Sequence, residues 1–200
     1  MKNYLEAQKS TNDLIINDSV NHDELERFSL SDKRWANYIG GRNDFSKRTI
    51  RKGDIYQFEF GKNYSPEMSY EHRGLVIGVK GQLLHVLPIY SYSSTKHKDV
   101  YHPIDNPQSK SDLFLLKNSE FSFISHDSIL KLNDIRSIST KRILYKHNGR
   151  IDISSDTYKT ISNLVFQKYF GDYYYELQKC KEKISELNKE IESLKSENTL

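Results

Sequence analysis

Three ionisable side chains crowd the mouth of an apolar run. Glu71, His72 and Arg73 stand immediately before GLVIGV, and Glu67 lies four residues earlier. These residue types suit phosphate chemistry. A guanidinium presents two parallel donors to phosphate oxygens, while an imidazole or carboxylate nearby can take or deliver a proton. The plainer reading is a polar loop leading into a core strand, with Arg73 paired to Glu71 or Glu67. GLVIGV and the following QLLHVLPIY are separated by Lys80 and Gly81, which suggests a hairpin. In an antiparallel pair the start of one strand lies beside the end of the next, so Arg73 is expected near Tyr90 and Ser91. Their hydroxyls would complete the pocket. Alternation puts His72 on the opposite face if Arg73 points into a groove.

Other chemistries find less support. No P-loop lysine follows Gly40 and Gly41, and neither HExxH nor GxSxG occurs. The 7 histidines are dispersed, and the 1 cysteine, Cys180, permits neither an intrachain disulfide nor a cysteine zinc cluster. No cofactor and no metal are expected. Charge is unevenly spread: residues 31–175 carry 22 basic against 15 acidic groups, although the whole chain has a net charge of only +3. Arg42, Lys47, Arg48, Arg51 and Lys52 form a basic run that could track an RNA backbone or be a solvated linker. Tyr90, Tyr92 and Tyr101 could stack on unpaired bases or be half-buried structure. Lys96 and Lys98 lie in the long polar loop 92–112 and join the candidate RNA contacts.

Three segments must position these residues. Residues 1–49 are polar with short helical spacings, such as Trp35, Tyr38 and Ile39. Residues 50–153 are strand-like: Tyr56, Phe58 and Phe60 alternate with Gln57 and Glu59, and short apolar runs return at LFLL, FSFI, SILKL and IRSI. This pattern predicts a small, curled antiparallel sheet or barrel. Residues 155–200 form the third segment, with Ser155 as N-cap of a helix from Asp156. Phe170, Tyr173, Leu177, Cys180, Ile184, Leu187, Ile191 and Leu194 follow at alternating spacings of 3 and 4. That is a heptad seam, for self-association or for packing on the N-terminal helices. No signal core or membrane span is evident, so a soluble, cytoplasmic protein is expected.

Lys52-Gly53-Asp54-Ile55-Tyr56, the Arg73 strand, a strand ending Pro88-Ile89-Tyr90-Ser91, and Asp134-Ile135-Arg136-Ser137-Ile138 before Arg142-Ile143 together resemble the MazF/PemK family of toxin ribonucleases, over about residues 50–145. The resemblance implies an α+β protein built on a small SH3-like antiparallel β-barrel. Here that barrel would carry an N-terminal helical extension and a long C-terminal helix or coiled coil. It further implies a homodimer, a small antitoxin as partner, and cleavage of single-stranded RNA without metal. The family's catalytic arginine matches Arg73. Its threonine partner falls on Tyr90, with Ser91 next to it, and its usual proline after the arginine is Gly74. The acidic loop residue matches Glu67 or Glu71. In the implied reaction the ribose 2′-hydroxyl attacks phosphorus, leaving a 2′,3′-cyclic phosphate. Arg73 suits the phosphorane oxygens, and His72 or a loop glutamate suits the proton transfers. Arg136 reads as structural support. The competing reading is an inactive barrel that binds RNA or protein and assembles through its C-terminal helix.

Overall fold

The computed structural model describes residues 1–17, 21–39 and 49–197. Arg42, Lys47 and Arg48 of the basic run lie outside the described residues. The chain divides into two compact units, Met1–Ile151 and Asp152–Leu200.

The first unit opens with two helices, α1 (Lys2–Ile16) and α2 (His22–Ile39). Seven strands follow among the described residues: β1 (Asp54–Glu59), β2 (Glu71–Lys80), β3 (Leu83–Ser91), β4 (Leu113–Leu116), β5 (Ser128–Lys131), β6 (Arg136–Ser139) and β7 (Ile143–Arg150). They form one antiparallel sheet in the order β4-β5-β3-β2-β1-β7, with β6 also paired to β3. β3 is shared: its Leu83–Val86 half pairs with β6, and its Ile89–Ser91 end pairs with β5. A register shift between Val76 and Gly78 bends the β2–β3 hairpin. The sheet curls but does not close, because no ladder joins β4 to β7 among the described residues.

Both faces of the sheet are buried, not one. Tyr56, Phe58, Val76 and Val86 lie in one fully buried cluster, while Leu75, Leu87, Ile89 and Leu130 are equally buried at alternate positions. The alternation in β1 suggested exposed partners for the aromatic residues, yet Glu59 is only 7% exposed. Its carboxylate accepts from Ser31 Oγ (3.1 Å) and pairs with Arg34 of α2 (2.8 Å). The counter-charge comes from a helix, which strand periodicity cannot reveal. FSFI also differs from expectation. It lies in turns, its Phe121 amide donating to Lys117 and its Ile124 amide to Phe121.

The second unit holds α3 (Asp156–Tyr169) and α4 (Gly171–Glu197). Ser155 caps α3 as expected, its Oγ accepting from the Tyr158 amide at 3.2 Å. The apolar pattern suggested continuity through Phe170, but Phe170 is the C-cap of α3. Phe166 packs its ring against both Phe170 (5.7 Å) and Tyr174 (6.2 Å), forming the joint between the two helices. Among the described residues no helix is long and apolar enough to cross a membrane.

Candidate functional site

Arg73 stands where the apolar face of the sheet gives way to polar residues. Its register partners are Gln57 on β1 and Ile89 on β3, and Tyr145 of β7 lies opposite Gln57. The guanidinium is half-buried and donates from Nη2 to Ser128 Oγ at 3.2 Å. Ser128, fully buried, donates its hydroxyl hydrogen bond to the His126 carbonyl at 3.0 Å. Ser91 is the register partner of Ser128, and its Oγ lies 2.9 Å from His126 Nε2. On the other side of Arg73, His147 Nε2 lies 3.0 Å from Gln57 Oε1. An amide oxygen only accepts, so Nε2 carries the proton and Nδ1 is the basic nitrogen of a neutral ring.

The electrostatics follow from this placement. Burial pulls the Arg73 pKa below its ordinary value, while the Tyr145 phenol opposes that shift. Burial also lowers the His147 pKa, and the Arg73 cation lowers it further. Among the described residues no carboxylate pairs with Arg73. Glu71 is held by Arg34, and Glu67 pairs with Arg136 at 3.1 Å. Arg136 also binds Asp134 at 2.6 Å, and Asp134 accepts from the Met68 amide at 2.7 Å. Both candidate acids therefore serve as anchors for α2 and for the loop before β2. The ion pair of Arg73 with one of them, the plainer of the two sequence readings, is not formed.

Ser91 joins the Arg73 side of the sheet, but Tyr90 does not. Tyr90 pairs with Ile129 and packs with Val100 and Leu115, its ring 5.4 Å from that of His97. Burial raises its phenol pKa. Tyr92 shares this cluster, 6.0 Å from His97. His72 also points away from Arg73, as alternation requires, and its register partner is Phe58. Burial and the Arg27 cation lower its pKa, and it faces a cleft with Asn21, Arg27 and Tyr70. Tyr101 lies against Phe114, with ring centroids 5.6 Å apart. Lys96 and Lys98 are exposed in the loop after β3, and Arg51 and Lys52 are exposed before β1.

Gly74 has a steric reason. A Cβ there would meet Val86 Cγ1 at 2.4 Å and Phe58 Cδ2 at 2.9 Å. Gly149 has another, since its Cβ would lie 2.2 Å from the Phe123 ring. Phe123 thereby rests on β7, and the turn region that holds it also carries His126.

Ser128, His126, Gln57 and His147 were not expected in the site. Ser128 is 55 positions from Arg73 in sequence, and His147 is 90 from Gln57. Only the strand order brings them together; the polar opening of SILKL was the one local signal. Among the described residues, no three His, Cys, Asp or Glu side chains are grouped to hold a metal ion. A comparison with protein-family models finds no match, and a search of curated proteins finds none.

Proposed function

We propose that the protein is an endoribonuclease of the MazF/PemK type, cleaving single-stranded RNA without a metal and held in check by a small antitoxin. The observation that carries this reading is the half-buried Arg73 guanidinium, with no carboxylate partner among the described residues, set among two hydroxyls and two imidazoles. A buried cation is costly unless paired, and a phosphate would complete this one. The bent sheet, with β3 shared between β5 and β6, fits an opened form of the SH3-like barrel.

The roles follow from chemistry. His147 is neutral at pH 7 and takes the 2′-hydroxyl proton as the 2′ oxygen bonds to phosphorus. Arg73 binds the phosphorane oxygens, whose charge grows as the bond forms. The bond from phosphorus to the 5′ oxygen then breaks, and the N–H of His126, hydrogen-bonded to Ser91, supplies that oxygen with its proton. The products are a 2′,3′-cyclic phosphate and a 5′-hydroxyl. His72, Glu67 and Glu71, considered for proton transfer on sequence grounds, have no part in this scheme.

The rival reading is an inactive module of similar fold that binds RNA or protein, and the packing of Tyr90 away from the site favours it. The two are separated by incubating the purified protein, with EDTA, on a long single-stranded RNA and mapping new ends. Discrete cuts with cyclic phosphate ends, abolished by Arg73→Ala, are the expected result. RNA that is bound but never cut would establish the rival.

A further inference from the structure

From Lys181 to Ser196 every residue of α4 is exposed. Among the described residues a helical stretch so exposed buries little surface, and one of that length is marginal in water on its own. Its exposure is not uniformly polar: Leu177, Ile184, Leu187, Ile191 and Leu194 form a stripe with exposures of 44 to 58%. We infer that this stripe pairs with a second copy of the chain as a parallel, in-register, two-stranded coiled coil.

The stripe itself specifies strand number. Leu177, Ile184 and Ile191 occupy the a positions, and Cys180, Leu187 and Leu194 the d positions. Isoleucine at a with leucine at d, as in the last two heptads, favours two strands over three or four. The flanking charges specify direction. In a parallel pair each g residue meets the e residue of the next heptad on the other helix. Glu176 then faces Lys181 of the second copy, and Glu190 faces Lys195. The remaining pair, Lys183 with Asn188, carries no repulsion. An antiparallel pair would instead set the e positions against one another. Lys181, Asn188 and Lys195 include no acid, so that flank would have no attraction.

Cys180 reports on the arrangement. At a d position of a parallel, in-register pair it faces its own counterpart, within the Cα separation of about 4.4–6.8 Å that a disulfide spans. The full-length chain is run by sedimentation equilibrium, then oxidised with diamide and resolved without reductant. The expected result is a mass of two 23.5 kDa chains and a covalent dimer linked through Cys180. Ile184→Asp with Leu187→Asp should give a monomer that no longer crosslinks, with the unfolding of the first unit unchanged. Glu190→Lys should weaken the dimer several-fold, and adding Lys195→Glu should restore it. A monomer at all concentrations, a dimer that does not crosslink, or a dimer that survives the double aspartate variant would each overturn the inference.

Discussion

At the scale of single residues the site depends on one cation and the imidazole beside it. In the proposed reaction Arg73 is the group that meets developing charge on phosphorus. Arg73→Ala should lower cleavage by roughly 100- to 1,000-fold, and Arg73→Lys should recover little because an ammonium lacks the fork geometry. The same substitution has a readout independent of activity. Both burial and the Arg73 charge hold the His147 pKa below its ordinary 6.5. Arg73→Ala relieves the second and opens the site to water, so the His147 ring should titrate at higher pH by NMR. An unmoved titration would show that the two groups do not share a site. In the intact protein the cleavage rate should rise with pH through an acid limb whose midpoint lies below 6.5, where His147 loses its proton. His72 links to stability in the same direction. Its folded pKa is depressed below 6.5, so the unfolded chain binds the proton first as pH falls. The contribution is intact above pH 6.5 and lost as pH falls through the folded value. Urea midpoints measured from pH 7.5 to 5 should decline less for a His72→Asn variant than for the parent.

At the scale of elements, α2 is fastened to the sheet by charge. Glu59 and Glu71 are register partners, and Arg34 bridges both carboxylates. Arg34→Ala would leave two acids facing each other with Glu59 buried, a loss of about 1–3 kcal/mol given that the arginine is partly exposed. Adding Glu71→Gln should recover part of it in chemical denaturation. Gly149 makes the corresponding test on β7. Gly149→Ala would displace Phe123 and the turns that carry His126, so cleavage should fall even where thermal unfolding shows a folded protein. These elements also show what sequence can convey. The Arg73–Ser91 neighbourhood was legible because adjacent apolar runs pair locally. Ser128 and His147 were not, since their approach depends on the order of distant strands. FSFI alternates like a strand, but Phe123 meets a glycine of β7 and the backbone closes in turns. The N-cap at Ser155 is a local rule and held; the break at Phe170 depends on aromatic packing with Phe166, which heptad spacing does not encode.

At the scale of the whole molecule, charge and assembly act on the same property. The surplus of basic over acidic groups lies in residues 31–175, between an N-terminal stretch and a tail that are each slightly acidic. If the sheet side bearing Arg73 holds RNA, binding should weaken steeply with salt, because each neutralised phosphate releases counterions. Alanine at Arg51 or Lys52 should reduce the log–log salt slope by about 1 each if they touch phosphate, without changing which positions are cut. Parallel α4 pairing adds a second effect. Two sites joined in one dimer can engage one long RNA together, so the second contact becomes intramolecular. A long single strand should therefore bind more tightly than a fragment that fills one site. That advantage should vanish in the variant carrying Ile184→Asp and Leu187→Asp, while the fragment's affinity stays unchanged. Equal affinities for long and short RNA in the parent protein would mean that the paired sites act independently.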